Sequence, residues 1–388
     1  MRKVLWIIGR LPYPLHSGDA LYSAGLLRAV HAAGLSVTVA GMPRDPDLQI
    51  CDLNDVAPVQ WQPVFCKPRP ALGSLLSALP KDAYSLYPPR IRHELTKLLE
   101  REWDWIVFDH ARSAGALDLA LAKGGSPIAY IAHNVERTVR REVAAGMSRG
   151  VLRTPYVIDA AKYARLEDKL VRNATAVITI TGEDAAEFRR AGATAYHVAP
   201  VFMGRKVRSR DIDATVPRRV LLLGSFDWVA KQKNLARFLE VVGPRLAGAN
   251  IGIDIVGSVP QALQQNLQQT YRNVQFQGAV ADVGFIAAQV RAGVIPEELG
   301  GGMKMKTLDY IFMRLPIFSL QSGVIGLPPE ARDAAFVCKD MAGLGDAILN
   351  SIDDVQQLNR RQVQAFDTCE KYFSVEQAAT VLRRVFGG

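Results

Sequence analysis

The stretch VIPEELGGGMKMKTLDY, residues 294–310, decides the architecture. Its first three residues read as a short strand, and Gly300, Gly301 and Gly302 separate that strand from a helix. Without side chains, the glycine amides can approach a ligand closely, and the helix start behind them adds a partial positive charge. The order strand, glycine turn, helix belongs to parallel α/β units, and a turn of this kind is an anion site that a nucleotide diphosphate fits. The spacing is neither G-x-x-x-x-G-K-[ST] nor G-x-G-x-x-G, so neither a Walker loop nor a dinucleotide-binding dehydrogenase is expected.

The same rhythm extends outward in both directions. Residues 219–223 (RVLLL), 251–256, 274–276 and 316–319 read as further strands, and GSFDWVAKQKN leads into a helix from about Leu235. In the N-terminal half, 3–8 (KVLWII) is apolar and β-branched, as a buried strand should be. A Pro- and Gly-rich loop, a helix over 21–33 closed by Gly34, and a strand over 36–40 follow it. Strands at 105–108, 128–131 and 176–181 and a long helix over 154–172 continue the series, and 375–386 is helical. Residues 199–217 carry Pro200 and Gly204 with little apolar periodicity, which places a domain boundary there. Two consecutive doubly wound α/β domains are predicted.

Bulk properties agree. A chain of 388 residues, 49% hydrophobic and 22% charged, has the composition of an ordinary globular protein of about two domains. Its net charge of +9 is spread over both halves, with the densest basic run over 137–172. That run is either a solvated helix face or a surface attracted to anionic lipid or a phosphorylated substrate. No nucleic-acid partner is expected. Cys51, Cys66, Cys338 and Cys369 form no C-x-x-C pair, which argues for a reducing compartment and no metal knuckle. The apolar run at the start is too short for a signal peptide and no run is long enough for a membrane span, so a cytoplasmic protein, soluble or peripheral on the inner face of the membrane, is expected.

Candidate ligand residues sit in the loops after the strands, where open α/β sheets bind. On the helix after the glycines, Met305, Leu308 and Phe312 form an apolar stripe and Asp309 lies on its flank. A half-buried carboxylate needs a partner. Ribose hydroxyls are one, and a salt bridge to Lys304 or Lys306 is the other. In LLLGSFDWVAKQKNL, residues 221–235, Lys231 and Lys233 can neutralise a diphosphate or can be solvated loop lysines. His133 in YIAHNVE and His110 in WIVFDH end strands; each is a ligand contact or a satisfied structural histidine. D-x-D at 45–47 and 211–213 reads as surface loop, and no metal site is predicted.

Gly300, Gly302, Lys306, Leu308, Asp309 and Pro316 resemble the pattern G-x-G-x-x-x-K-x-L-E followed by P-[IV] in the C-terminal domain of glycosyltransferase family 4. The resemblance implies the GT-B fold, an α/β architecture of two Rossmann-like doubly wound parallel-sheet domains facing a central cleft. It implies an acceptor-side domain over 1–201, joined by a C-terminal helix over 374–388 that crosses back, and a nucleotide-sugar-binding domain over 202–373. The activity implied is retaining, metal-independent transfer of a sugar from a UDP- or GDP-linked donor, with no other cofactor. The acceptor expected is a saccharide or polyprenyl-linked saccharide used for a bacterial surface polysaccharide. The leaving phosphate would then help deprotonate the acceptor. Rival expectations are a two-domain sugar-binding protein and a GT-B epimerase.

On this resemblance the acidic residue of the motif, here Asp309 where Glu is usual, binds the ribose. The family's second acidic position is Gly301 in this chain, and Glu298 stands upstream of it. Donor contacts expected are Gly18, Ser225, Lys231, Lys233, Glu298, Gly300, Gly301, Gly302, Met303, Lys304, Leu308 and Asp309. Ser225 stands where an Arg is common. His133 matches the family's H-[DN] motif and is expected to contact the transferred sugar, which makes His133, Lys233 and Asp309 the candidate catalytic set. The loop LPYPLHSGDA resembles P-P-x-x-G-G with Gly18 kept and Asp19 at the second glycine, so His16, Asp19, His110 and Glu136 are the candidate acceptor contacts.

Overall fold

The computed structural model describes residues 1–15, 17–145, 154–227, 229–280, 282–298 and 302–387. The chain divides into two compact units, Met1–Met203 with Phe373–Gly388, and Gly204–Tyr372.

The first unit is built on seven parallel strands: β1 (Lys3–Arg10), β2 (Ser36–Met42), β3 (Gln60–Pro63), β4 (Trp105–Asp109), β5 (Ile128–Ala132), β6 (Ala176–Thr179) and β7 (Ala195–His197), in the order β3-β2-β1-β4-β5-β6-β7. Alternation along each strand sends successive side chains to opposite faces, so both faces are apolar. Val4, Trp6 and Ile8 of β1, with Val107 of β4 and Ile131 of β5, enter one core. Leu5 and Ile7, with Phe108 and Tyr130, enter the other. Helices Gly18–Ala32 and Val375–Gly387 close the first face through Leu26, Leu27, Leu382 and Phe386. Phe386 meets Trp105 edge-on at 5.2 Å, which is why the end of the chain belongs to this unit. Helices Pro89–Leu99 and Thr154–Asn173 close the second face through Ile91, Leu95, Tyr163 and Leu170.

The second unit has six parallel strands: β8 (Arg219–Leu223), β9 (Gly252–Val256), β10 (Val274–Gly278), β11 (Ala292–Ile295), β12 (Ile317–Leu320) and β13 (Phe336–Cys338), ordered β10-β9-β8-β11-β12-β13. Val220, Leu222, Ile253 and Val294 pack with Leu235, Phe238 and Leu239 of helix Val229–Val241. Buried Tyr310 joins the two central strands: its hydroxyl accepts from the Leu223 amide at 2.7 Å and faces the carbonyls of Leu221 at 3.0 Å and Val294 at 3.3 Å.

In each sheet the strand order reverses once, between β1 and β4 and between β8 and β11. Those are the switch points at which open α/β sheets take ligands beyond the strand ends. Two expectations need correction. Helix Val229–Val241 begins six residues before Leu235, so Lys231 and Lys233 are helical, not loop, residues. Strands β3, β7 and β13, each an edge strand of three or four residues, were not expected from periodicity. Among the described residues, no helix is long and apolar enough to cross a membrane.

Candidate functional site

In the second unit the loops after β8 and β11 meet at the switch point. Gly257, just after β9, lets the loop after β8 pass close by: it has φ +124°, and a Cβ there would lie 1.8 Å from the Gly224 carbonyl oxygen. Glu297, on the loop after β11, is buried and forms an ion pair with Lys306, whose ammonium also donates to the Leu223 carbonyl at 3.1 Å. The second carboxylate oxygen of Glu297 is buried and has no hydrogen-bond partner among the described residues. Lys304 donates to the Gly302 carbonyl at 3.1 Å.

Lys306 thus pairs with Glu297, and Lys231 and Lys304 lie within electrostatic reach of the same carboxylate. Burial, with Lys306 and Lys231 nearby, lowers the Lys304 ammonium to about 8 against the opposing pull of Glu297. Burial and then Lys306 also lower Lys231, against Glu297 and Asp227. Three ammonium groups near one another, two of them with their charged form disfavoured by burial, can serve as the countercharge of a multivalent anion.

Asp309 is half-buried on helix Met305–Phe312, and burial alone raises its carboxyl to about 6. It has no salt bridge among the described residues; of the two partners expected for it, Lys306 is engaged by Glu297. The other expected donor contacts are placed variously. Lys233, Glu298 and Ser225 are exposed, and Lys231 lies within electrostatic reach of Glu297 and Lys306. The Ser225 hydroxyl is engaged with Asp227 and Ser258, at 2.5 and 3.0 Å. Met303 is half-buried against Gly326, where a Cβ would meet its sulfur at 3.0 Å. Leu308 is fully buried and supports the helix from the core, so its side chain lines no ligand surface. Gly302 has φ +70°, a conformation glycine adopts without strain. Gly300 and Gly301 lie outside the described residues.

In the first unit, β4 and β5 deliver a second cluster. Asp109 is buried; one carboxylate oxygen accepts from Trp6 Nε1 at 2.9 Å and the other lies 2.7 Å from His133 Nε2. Donation from His133 Nε2 to that carboxylate fixes the tautomer and leaves Nδ1 as the acceptor. Tyr22 stands edge-on to the His133 ring at 5.2 Å and His110 lies at 4.9 Å. His110 accepts from the Arg112 amide through Nδ1 at 3.3 Å, so its proton is on Nε2, 3.5 Å from Glu136 Oε1. Burial, Arg112, His133 and Arg140 all keep that imidazole neutral, well below its ordinary pKa. Its backbone has φ 73° and ψ 146°, a region few non-glycine residues occupy.

Glu136, buried, accepts from Arg140 Nε at 2.9 Å, and its amide donates to buried Glu167 at 3.0 Å. Burial raises the Glu167 carboxyl to about 7. Gly18 is the exposed first residue of its helix. Asp19 is engaged by Arg112 at 2.5 Å and Arg44 at 2.8 Å. Burial opposes its ionisation, but Arg112, Ser17 and Arg44 outweigh that and hold its carboxyl far below the usual range. His16 lies outside the described residues. The structure therefore brings His133, His110 and Glu136 together and ties Asp19 to two arginines.

Residues 217–354 match the glycosyl transferases group 1 family. The matched region lies within the second unit and includes Lys231, Glu297, the lysine pair Lys304 and Lys306, and Asp309. No curated protein sequence matches the chain. Among solved structures, the chain is similar to HepE from Anabaena in complex with UDP and glucose, at 14% identity and TM-score 0.68 over 100% of both chains. It is similar to sucrose-phosphate synthase from Thermosynechococcus elongatus, at 16% identity and TM-score 0.67 over 100% of this chain and 98% of that one. A glycosyltransferase from Rickettsia africae aligns at 10% identity and TM-score 0.62, over 99% and 97% of the two chains. At such identities the likeness establishes the fold, which is GT-B with two Rossmann-like parallel-sheet domains. Fold and group 1 match together support a glycosyltransferase.

Sequence reading did not find Glu297 as the lysines' counter-ion, Trp6 as the Asp109 donor, or Arg112 and Arg44 as partners of Asp19. The signal for the first was present: a carboxylate beside a glycine turn followed by lysines at 304 and 306.

Proposed function

We propose that the protein transfers a sugar from a nucleotide-sugar donor, UDP- or GDP-linked, to a saccharide or polyprenyl-linked acceptor. The observation that carries this reading is the Lys306–Glu297 pair that ties the ends of β8 and β11, with Lys231 and Lys304 within electrostatic reach of it. The donor diphosphate takes the place beside these lysines, and Asp309 accepts from the ribose hydroxyls. As the bond from the sugar to phosphate breaks, negative charge grows on the leaving diphosphate, and fixed cations there stabilise the transition state more than the ground state. With lysines as the countercharge, transfer proceeds without a divalent cation.

In the first unit, Asp109 orients His133 so that Nδ1 accepts a sugar hydroxyl, and neutral His110 with Glu136 and Asp19 borders the acceptor. Retention of anomeric configuration, and a place in surface polysaccharide synthesis at the inner face of the cell membrane, follow from the resemblance to family 4 and from the basic run over 137–172.

The test is thermal shift with UDP-, GDP-, ADP- and dTDP-sugars, followed by product analysis of the responding donor. Stabilisation by one nucleotide series with sugar transfer is expected. A response to free sugar and not to nucleotide would instead identify a sugar-binding protein, and interconversion of the donor sugar without transfer an epimerase.

A further inference from the structure

The first unit exposes an apolar surface that neither core accounts for. The chain from 56 to 81 contains no acidic residue but three basic ones, Lys67, Arg69 and Lys81. Within it the short 3-10 turn Ala71–Leu76 holds Leu72, Leu75 and Leu76 at 79%, 59% and 98% exposure, with Phe65 exposed nearby in sequence. The first turn of helix Thr154–Asn173 adds exposed Tyr156, Val157 and Ile158.

Hydrogen bonds tie the start of helix Thr154–Asn173 to Ser74 in the turn and to Lys81 beyond it. Lys162 Nζ, one turn beyond Ile158, donates to the Ser74 carbonyl at 2.6 Å, and Asp159 accepts from the Lys81 amide at 2.7 Å. Two acids among the described residues here, Asp159 and Asp82, are engaged. Asp159 is held by that amide, while Asp82 accepts from the Tyr163 hydroxyl at 2.9 Å and lies 3.7 Å from Arg140. The leucine segment itself is flanked by positive charge: Lys67 and Lys81 are exposed, and Arg165 is exposed one turn beyond Lys162, which reaches Ser74.

A leucine almost wholly in water gains nothing from the folded chain, and exposed apolar side chains on two elements joined by the Lys162–Ser74 bond mark an interaction surface. Leucine and aromatic side chains projecting from a short turn, rimmed by lysine and arginine, match the interfacial zone of a bilayer, with the apolar tips among acyl chains and the cations at the headgroups. We infer that the turn Ala71–Leu76 and the start of helix Thr154–Asn173 together form the surface by which this protein docks on an anionic lipid membrane. The inference rests on the proposal that the acceptor is lipid-linked, because docking there would hold the first unit at the leaflet that carries it. The surface is distinct from the lysine cluster and the histidine cluster.

Flotation with phosphatidylcholine vesicles, with and without phosphatidylglycerol, tests it on the full chain. The wild-type protein is expected to float with the anionic vesicles and not with the neutral ones. Joint substitution Leu72→Ser, Leu75→Ser and Leu76→Ser is expected to reduce the bound fraction by about tenfold or more. Lys67→Glu with Lys81→Glu is expected to remove the preference for anionic lipid while conserving the fold, since both side chains are exposed. Thermal response to the donor nucleotide should be unchanged in both variants, which separates failure of docking from failure of the donor-site reading and reports that the chain is folded. Flotation of the leucine variant like wild type overturns the inference, as does wild-type protein that floats with neither vesicle. A wild-type dimer in sedimentation that the leucine variant abolishes, without flotation, also overturns it in favour of a second copy on this surface.

Discussion

Lys306 reaches back across the loop after β11 to pair with Glu297, nine residues earlier, and with its remaining protons donates to the carbonyl of Leu223 at the end of β8. One ammonium group thus ties the two central strands at the point where the sheet order reverses. Glu297 is the carboxylate that favours the Lys304 ammonium, against the burial and the neighbouring Lys306 and Lys231 that lower it. Glu297→Gln keeps the shape and removes the charge. Lys306 then loses its ion-pair partner and the repulsion among the three ammonium groups grows, so the variant is expected to lose stability on the order of 2 kcal/mol. A nucleoside diphosphate supplies the missing charge, so the ligand-induced rise in Tm should be larger in the variant than in wild type. Equal shifts in the two proteins would show that Glu297 and the diphosphate do not act on the same lysines.

The Lys304 ammonium gives this site a pH signature. Its pKa is lowered from 10.5 to about 8 by burial and by Lys306 and Lys231. Below about 8 the group is charged in folded and unfolded chains alike and the cost of its burial is fully present. Between about 8 and 10.5 the unfolded chain holds a proton that the folded chain lacks, so stability rises with pH across that window. Diphosphate binding runs the other way, because the anion favours the ammonium. Its Kd should increase by up to about tenfold per pH unit above 8, with uptake of about one proton. Calorimetry in buffers of different ionisation enthalpy measures that uptake, and Lys304→Met should abolish it. Identical proton uptake in Lys304→Met and wild type would assign the coupling elsewhere.

The fold was legible where burial on both faces leaves a continuous apolar run, as in KVLWII of β1 and RVLLL of β8. It was not legible at the edges. QWQP, AYH and FVC pair on one side only, and none offers more than a short mixed pattern. Helix Val229–Val241 hides its start because Lys231, Gln232 and Lys233 interrupt the apolar spacing before Leu235. The candidate sites divide in the same way. Lys304, Lys306 and Asp309 follow one another along a single loop and helix start. Trp6 and Asp109 lie on β1 and β4 and His133 just beyond the end of β5, 103 and 24 residues apart in sequence, and they meet only because those strands are neighbours. No local spacing encodes that meeting.

His110 tests whether backbone strain serves the histidine cluster. A non-glycine residue at φ 73° and ψ 146° costs about 1–3 kcal/mol, a cost that persists only where the surroundings impose it. His110→Gly removes the strain and the imidazole together, whereas His110→Ala removes the imidazole alone. The glycine variant should therefore be more stable than the alanine variant by about 1 kcal/mol. Both should lose transfer to the acceptor while donor nucleotide still raises Tm, since the lysine cluster is untouched. Chemical denaturation and turnover of the two variants decide it. Equal stabilities would mean that the strain is relieved elsewhere, and full turnover in either would remove His110 from the acceptor side.

Asp309 sets stability against ligand binding most directly. Burial raises its carboxyl from 3.8 to about 6, with no charged partner among the described residues. Between those two values the folded chain holds a proton that the unfolded chain has released, so stability falls as pH rises through that window and the penalty is complete above it. Asp309→Asn removes the ionisable group while conserving its shape. The variant should match wild type near pH 4 and exceed it at pH 7, by up to about 3 kcal/mol for a shift of this size. The same substitution replaces a charged acceptor of ribose hydroxyls with a neutral amide. Hydrogen bonds to a charged group contribute about 1.5–3 kcal/mol, so nucleotide affinity should fall by roughly tenfold to a hundredfold. A protein that becomes more stable while binding its nucleotide less well is the outcome expected of a carboxylate held in place for a ligand. Denaturation at the two pH values and titration with the responding nucleotide measure both arms. Intact affinity and turnover in Asp309→Asn and Asp309→Ala would take the ribose contact away from this residue, and with it the assignment of the pocket.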